Sequence, residues 1–340
     1  MKNLKEFVLN GTKKYLTYTK IMVTAIFIVL AAILCVMCCK KETAPSEQPA
    51  DLSQKQIEKE SELPVAQPVI EKKSPSVVQP VRIKQPVAEK KPQPVVKAPD
   101  PELPDEHNIS CGGKVLLKMI KLAGGTFMMG SPESEAERHL SEKQESVTIS
   151  DEFYIGIYEV TQNQYQIIMG ENPSDYKGGN HPVTYVSWDK AMMFCDKLNA
   201  SGYALAGWKF TLPTSAQWEY ACRAGTSSPF SWGDSLNGLE ANCAGNLPYG
   251  TATQGPYIRR MKEVGCYAPN AWGLYDMHGN VWEWCLDFSK VQGKNTMVRD
   301  VRGGAWGTPA KLCRSAVRYT YDPFKSNQML GFRVVMVRAE

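Results

Sequence analysis

Hydrophobic residues fall into strand-like and helix-like patterns only in the later two thirds of the chain. Apolar runs bounded by glycine or polar residues predict strands over 115–120, 123–131 and 153–160, the second entered through a glycine turn. The intervening stretch 133–144 is polar and predicts a loop. These patterns place one folded domain over 111–340.

Helical spacing predicts three helices inside this domain. The first follows Thr161, which is placed to cap it. The third opens at Thr214, with Gln217 at the spacing of a capping box. In the second, apolar residues repeat at helical spacing: Ala191, Phe194, Cys195 and Leu198. After Gly225 the pattern loses its regularity until residue 273, so much of the domain is predicted to be irregular chain held by tryptophans.

The start of the chain has the pattern of a membrane-directed segment. Residues 1–20 form a basic segment with five lysines, and 21–39 is an uncharged apolar run. That run is close to the about 20 residues that a membrane-spanning helix needs, and the lysines hold its N-terminal end in the cytoplasm. The run is an uncut anchor, a cleaved signal peptide, or a lipoprotein signal with the lipid on Cys38 or Cys39. In each case the chain after residue 40 is predicted to be exported.

Residues 40–108 are rich in Pro, Lys, Glu, Gln and Val and hold no aromatic residue. Such a composition buries too little apolar surface to offset chain entropy, and its prolines favour extended conformations. The segment is therefore predicted to be a disordered stalk. A stalk after an anchor suits a domain held at the cell envelope, outside the cytoplasm, for contact with something beyond the membrane.

Charge and cysteine spacing exclude two classes of function. The formal net charge is only +4, and no stripe of Lys or Arg marks the domain, so nucleic acid is not an expected partner. The ten cysteines and four histidines show no zinc-binding spacing.

The stretch 273–284, GLYDMHGNVWEW, is the most informative in the domain. Its Gly279-Asn280 pair predicts a tight turn, and the aromatic residues that follow have the bulk to anchor a core. Two carboxylates beside inward-turning carbonyls suit a hard cation such as Ca²⁺. The predicted calcium ligands are Asp276, Gly279, Val281 and Glu283. The alternative is that both carboxylates only accept hydrogen bonds from the turn.

Several motifs, in this order, resemble those of the formylglycine-generating enzyme family, also called sulfatase-modifying factors. They lie at 125–131, 159–161, 181–188, 212–221, 270–284, 302–306, 313–318 and 331–333. The resemblance implies an α+β domain with an elaborated C-type-lectin-like fold, rich in irregular structure. It also implies a calcium site at the turn just described.

The same resemblance bears on catalysis. The family's enzymes oxidise a substrate cysteine with copper and oxygen, using two thiols in the segment after the motif at 302–306. Soft sulfur ligands select Cu(I). Here the first thiol position falls near Thr308, and Cys313 resembles a separate structural cysteine, which implies a Cys222–Cys313 disulfide. The oxidase reaction and copper binding are therefore not expected, although a copper-dependent formylglycine-generating oxidase or a related protein-modifying enzyme stays the alternative.

The segment after the motif at 302–306 also resembles part of the variable proteins of diversity-generating retroelements. In those proteins, scattered residues between fixed anchors are randomised. Eight positions between such anchors hold residue types that this randomisation can produce. They form the predicted ligand-binding set: Gly307, Thr308, Pro309, Leu312, Val317, Tyr319, Thr320 and Tyr321. Tyrosines among small residues resemble an antibody paratope, so the expected partner is a protein or glycan outside the cell. An ordinary loop with half-buried tyrosines, or an envelope scaffold, are the other interpretations.

Overall fold

The computed structural model describes residues 105–111, 114–290 and 297–339. The predicted segments 1–20 and 21–39, and nearly all of the predicted stalk, lie outside the described residues. Within the described part, no helix has both the length and the apolar character needed to cross a bilayer.

The described chain alternates short strands with three helices and long irregular segments. The strands are β1 (Glu106–Cys111), β2 (Lys114–Leu122), β3 (Gly125–Met129), β4 (Glu145–Ile149), β5 (Phe153–Gly156), β6 (Trp208–Thr211), β7 (Trp282–Lys290), β8 (Met297–Arg302), β9 (Tyr319–Tyr321), β10 (Leu330–Gly331) and β11 (Val335–Arg338). The helices are α1 (Gln162–Met169), α2 (Trp188–Ala200) and α3 (Ser215–Arg223), with 3-10 turns at Leu140–Glu142 and Ala310–Cys313.

The strands form three sheets. The largest has the order β1-β2-β5-β11-β6 and is antiparallel throughout. A second sheet has the order β10-β7-β8-β9, with β10 parallel to β7, and β3 pairs with β4 alone. The strand β9 lies at an edge of the second sheet, which leaves one side of its backbone without a strand partner among the described residues.

The central strand β5 explains how the core is divided. All four of its residues are buried, and successive side chains point to opposite faces of a strand. Tyr154 packs into the main core with α1 and α2, whereas Phe153 and Ile155 pack on the other side with α3. The large sheet is therefore covered on both faces.

Helices α1 and α2 cover one face through aromatic packing. The rings of Tyr165 and Phe194 stack with centroids 5.7 Å apart, and Phe332 meets both edge-on. Thr161 and Thr214 form the N-terminal capping boxes of α1 and α3 with Gln164 and Gln217, respectively. The predicted capping roles of both threonines are confirmed.

Three predicted strands are present as β2, β3 and β5, and the three predicted helices as α1 to α3. The strand β1 begins at Glu106, so the fold starts before residue 111 and includes the last residues of the predicted stalk. The strand β5 ends at Gly156 instead of 160, because the chain leaves the sheet there. Between α3 and β7 the structure contains no helix or strand, so the prediction of an α+β domain rich in irregular chain is confirmed.

Candidate functional site

The stretch 273–284 forms a tight, buried turn that leads into β7, as predicted. Gly279 and Asn280 have positive φ angles of 81° and 61°, in the left-handed region that these two residue types tolerate best. A side chain at position 279 would meet the carbonyl oxygen of Asn242 at 2.3 Å, so only glycine fits there. The backbone N–H of Gly279 donates to the carbonyl of Gly303 at 2.7 Å, which holds the turn against the end of β8.

Glu283, near the start of β7, is paired with a buried arginine. Nε of Arg333 donates to Oε2 of Glu283 at 2.6 Å, and Nη2 donates to Oε1 at 2.7 Å, with both side chains 0% exposed. Trp218 on α3 donates its indole N–H to the same Oε2 at 2.8 Å. Because each carboxylate oxygen is engaged, this ion pair joins β7, α3 and the segment before β11.

Arg333 also binds three backbone carbonyls, including that of Ile157, to which Nη1 donates at 3.3 Å. Nη1 donates to the carbonyl of Gly156 at 3.0 Å and Nη2 to that of Tyr275 at 2.9 Å. The guanidinium thus anchors the end of β5 and the start of the turn. A buried cation with this many acceptors is compensated for the loss of water.

Two further carboxylates lie beside this pair, and we call Glu159, Asp276 and Glu283 the carboxylate cluster. Asn280 Nδ2 donates to Glu159 at 2.7 Å, and the backbone N–H of Val281 donates to it at 3.1 Å. Burial, and next the charges of Asp276 and Glu283, raise the pKa of Glu159 well above its ordinary value.

Asp276 is similarly buried. The backbone N–H of Gly265 donates to its Oδ2 at 2.6 Å. Burial is the main reason that the pKa of Asp276 is raised to about 6, and the hydrogen bond from Gly265 and the charge of Arg333 oppose the rise. Its φ of 56° is the left-handed conformation, which Asp and Asn adopt more readily than most residues.

The predicted calcium ligands Asp276, Gly279, Val281 and Glu283 all lie in or beside this turn. Both oxygens of Glu283 are engaged by Arg333, so the group that neutralises this carboxylate is a guanidinium. Among the described residues, no set of three or more His, Cys, Asp or Glu side chains converges on a metal position. Calcium binding stays a prediction, and the alternative of hydrogen-bonded carboxylates matches the contacts of Glu159 and Asp276.

The predicted ligand-binding set is only partly exposed. Tyr319 is 38% exposed, and Thr320 beside it on β9 is also exposed. Pro309, Leu312 and Tyr321 are half-buried. We call these five residues the C-terminal face.

Three of the predicted residues lie in the interior instead. Thr308 is buried, and its hydroxyl is satisfied by Ala305: it accepts the N–H at 2.9 Å and donates to the carbonyl at 3.0 Å. Val317 belongs to the main core. Gly307 is buried, and a side chain there would meet the sulfur of Met329 at 2.8 Å. Residue type alone did not distinguish these positions from exposed ones.

Two charged residues border the C-terminal face and were not predicted to take part in it. Arg318 is exposed and lies 3.7 Å from Asp300, while Lys311 pairs with Glu137 at 3.0 Å. Each of them adjoins a predicted residue in sequence: Lys311 precedes Leu312, and Arg318 precedes Tyr319. A charged residue beside a predicted one is therefore the signal that could have identified them. Phe324, 80% exposed in the following loop, was also missed.

Buried arginines hold the backbone below this face. Nη1 of Arg302 donates to the carbonyls of Ser315, Ala316 and Val317 at 3.0 to 3.3 Å. Arg314 binds both carboxylate oxygens of Glu142 at 2.9 and 3.0 Å and also pairs with Glu135. The segment that carries the face is therefore fixed from beneath by contacts that do not involve its exposed side chains.

The structure does not bring Cys222 and Cys313 together, and both are free thiols. The sulfur of Cys222 lies 3.7 Å from the hydroxyl of Ser315 and 3.5 Å from Nε2 of His278. Ser315, two residues after Cys313, occupies the place opposite Cys222. Ser315 therefore takes the place that the prediction gave to Cys313, because Cys313 faces a different part of the core.

Cys313 lies against Cys243, with which its side chain shares a hydrogen bond. Its sulfur is also 3.5 Å from the hydroxyl of Thr308. Burial raises the pKa of the Cys222 thiol to about 12. His278 is uncharged at neutral pH since burial lowers its pKa to about 4, so Cys222 and His278 are neutral, unreactive groups.

The fold and the two sites define the class of protein. An α+β domain with short sheets, a glycine-asparagine turn over a buried Glu–Arg pair, and a long irregular middle is a C-type-lectin-like domain of the elaborated kind. More narrowly, the chain belongs to the sulfatase-modifying-factor family, because residues 112–338 match the Sulfatase-modifying factor enzyme 1-like domain. This confirms the predicted family and fold.

Curated relatives fall into different classes. The chain is 32% identical over 256 residues to the Chaperone protein LppX of Paenibacillus barcinonensis, covering 64% of this chain and 88% of that protein. It is 35% identical over 174 residues to the Formylglycine-generating enzyme of Streptomyces coelicolor, covering 45% of this chain and 52% of the enzyme. The matched region therefore spans about half of that enzyme's length.

Among solved structures, Treponema denticola variable protein 1 is similar with a TM-score of 0.58 and 25% identity, covering 68% of this chain and 99% of that one. PvdO from Pseudomonas aeruginosa is similar with a TM-score of 0.53 and 26% identity, covering 65% of this chain and 94% of that one. The same fold thus serves proteins with different names and roles, so the site and not the fold must carry the functional argument.

Replacing Glu283 with Gln tests what neutralises this carboxylate. We expect E283Q to lower the free energy of unfolding by about 3–5 kcal/mol, because it leaves Arg333 buried without its counterion. Urea unfolding followed by tryptophan fluorescence measures this, since all eight tryptophans lie in the domain. The matched control is E152Q, which breaks the half-exposed Arg338–Glu152 pair and should cost no more than about 1 kcal/mol.

The loss in E283Q should be the same in EGTA and in millimolar calcium. If calcium instead stabilised the wild-type protein and had no effect on E283Q, the ion would be the partner of Glu283, and the predicted calcium site would be supported.

Replacing Asp276 with Asn tests the pH dependence of stability. Folding raises the pKa of Asp276 to about 6, above its unfolded value of about 4. Between these values the folded state binds a proton that the unfolded chain has lost, so wild-type stability falls as pH rises from about 4 to 6. We expect D276N to weaken that fall and to be about 1–3 kcal/mol more stable than wild type at pH 7. Unfolding curves at pH 4 to 8 measure this, with the exposed-site variant D151N as control; a D276N protein less stable at pH 7 would contradict it.

Proposed function

We propose that this protein is a ligand-binding member of the sulfatase-modifying-factor family that does not carry out the oxidase reaction. The observation that carries the proposal is the residue at position 308. The resemblance places the family's first catalytic thiol near this position, and Thr308 supplies a hydroxyl whose hydrogen bonds close a local turn onto Ala305. A hydroxyl that stabilises its own backbone is a structural group, and it offers no soft ligand to Cu(I).

The surface that would bind the ligand is the C-terminal face. Tyr319 and Tyr321 offer large, rigid rings with a polar end, and Thr320 between them offers a small hydroxyl. Such a combination recognises proteins, and aromatic rings also stack on sugars, so the ligand is a protein or a glycan. Arg318 beside the tyrosines adds a cation, which favours ligands that carry carboxylate or other acidic groups.

The framework under this face suits a surface whose residues change. Arg302 and Arg314 hold the segment by bonds to backbone carbonyls and to buried glutamates. The exposed side chains of Tyr319 and Thr320 contribute little to those contacts, so substitutions there should leave the fold intact. The likeness to Treponema denticola variable protein 1, which extends over 99% of that chain, supports a diversified face.

The N-terminal sequence supports a location for the protein in the cell envelope. The apolar run 21–39 and the Pro-rich segment 40–108 would anchor the chain in the membrane and extend the domain away from it. We infer a cell-envelope protein, either membrane-anchored or a surface lipoprotein, with the domain outside the cytoplasm. The ligand then comes from outside the cell, and nucleic acid is not among the partners.

Sequencing the end of the gene tests whether the face is diversified. Deep sequencing of codons 300–334 in several isolates or one large culture should find substitutions concentrated at Pro309, Leu312 and 319–321. We expect few at Thr308 and Val317, because each is buried. Trp306, Cys313 and 331–333 act as the internal control and should not change. A uniform sequence would contradict a diversified face and leave a binder of one fixed ligand.

The second candidate function is the family's copper-dependent oxidation of a substrate cysteine, which the 35% identity to the Streptomyces coelicolor enzyme favours. We expect the purified protein, loaded with copper and given a cysteine-containing peptide, to consume no oxygen above the rate of a C313S variant. Oxygen electrode readings and the mass of the peptide report this. Copper-dependent formation of an aldehyde on the peptide, lost in C313S, would overturn the proposed non-enzymatic function.

A further inference from the structure

The side chains of Cys243 and Cys313 interact with each other in the interior of the domain. Both are buried, with 1% and 0% of their surfaces exposed. They belong to a small separate core with Phe230, Leu236 and Tyr249. Cys243 comes from the irregular middle of the domain, and Cys313 ends the 3-10 turn below the C-terminal face.

The backbones on either side of this pair are already fastened to each other. The N–H of Ala244 donates to the carbonyl of Thr308 at 2.9 Å, and Ala244 and Pro309 form a parallel bridge. The N–H of Ala310 donates to the carbonyl of Leu247 at 3.1 Å. Because these bonds set the spacing of the two segments, the two sulfurs are held together without help from any bond between them.

The surroundings of Cys313 favour its thiolate. Hydrogen bonding with Cys243 is the main reason that the pKa of Cys313 is lowered, and the hydroxyl of Thr308, 3.5 Å from the sulfur, acts in the same direction while burial opposes it. Gly304 leaves room for this approach, since a side chain there would meet the sulfur at 2.4 Å. By contrast, burial raises the pKa of Cys195 and of Cys285.

We propose that Cys243 and Cys313 are a disulfide-forming pair that closes when the protein folds in the presence of a thiol-disulfide oxidant. The Cys313 thiolate attacks one sulfur of the oxidant's disulfide, forms a mixed disulfide and releases one thiol. The Cys243 thiolate then attacks the Cys313 sulfur and releases the second thiol. Two protein thiols are oxidised, one external disulfide is reduced, and both protons leave with the released thiols. This inference does not depend on the proposed ligand-binding function.

The bond would tie the irregular middle of the domain to the segment beneath the C-terminal face. It would close a long loop, 243–313, and a bond across a long loop restricts the unfolded chain strongly. Its burial among aromatic rings would shield it from external thiols. A fixed link directly before Arg314 would let the exposed residues on either side differ without loosening the segment.

Peptide mapping of the refolded full chain tests the pair. The chain is reduced and unfolded, then refolded in detergent with reduced and oxidised glutathione, and remaining thiols are alkylated in denaturant before digestion without reductant. We expect a linked peptide that contains Cys243 and Cys313 and an alkylated Cys222. A Cys222–Cys313 peptide, or alkylation of both Cys243 and Cys313, would overturn the proposal. Cys266 is exposed and should be alkylated even before denaturation, which verifies the labelling step.

Thermal unfolding with and without reductant gives a second, independent measurement. The wild-type chain refolded with oxidant should unfold at a midpoint roughly 10 °C above that of the same chain refolded in reductant, given the length of the closed loop and the size of the domain. The matched control C195S removes a different buried thiol and should keep that difference, whereas C243S should lose it. Equal midpoints for the two wild-type preparations, with the bond mapped in the first, would contradict a stabilising bond.

Discussion

The buried pair of Glu283 and Arg333 is the interaction on which the domain most depends. It joins β7 to the segment before β11 and, through Trp218, to helix α3. The guanidinium also binds carbonyls at the end of β5 and in the turn. A charge pair with no exposure is expensive to desolvate, so its stability depends on every donor and acceptor being satisfied together. This requirement fixes these parts of the chain relative to one another where regular secondary structure is sparse.

Buried pairs of glutamate and arginine also occur at two other places. Glu219 on α3 pairs with Arg223 and Arg302, and Arg314 pairs with Glu142 and Glu135. In each case the arginine also reaches backbone carbonyls of an irregular segment. Loops cannot satisfy their own polar groups as helices and sheets do. The buried arginines supply the missing donors, which explains how a domain with so much irregular chain keeps one conformation and can carry a surface built on loop residues.

Local features could be read from the sequence, and distant partners could not. The caps at Thr161 and Thr214 and the turn at Gly279 were predicted because each depends on neighbours a few residues away. The strands β10 and β11 were missed, since they pair with segments far away in sequence. The motifs identified the fold, yet no pattern indicated that Arg333 would occupy Glu283. Nor could residue type show that Thr308 and Val317 are buried whereas Tyr319 and Thr320 are exposed.

The cysteines show why a correct fold still leaves the chemistry open. Near the end of the 3-10 turn, residues two apart face different parts of the core, so that Ser315 lies opposite Cys222 and Cys313 lies opposite Cys243. A thiol's reactivity depends on its immediate surroundings: burial raises the pKa of Cys222, whereas hydrogen bonding lowers the pKa of Cys313. The fold sets where the chain passes, and single positions within its loops decide whether those sulfurs bind copper, form a crosslink or only fill space. The functional argument for this protein therefore rests on positions 308, 313 and 315 more than on the family to which it belongs.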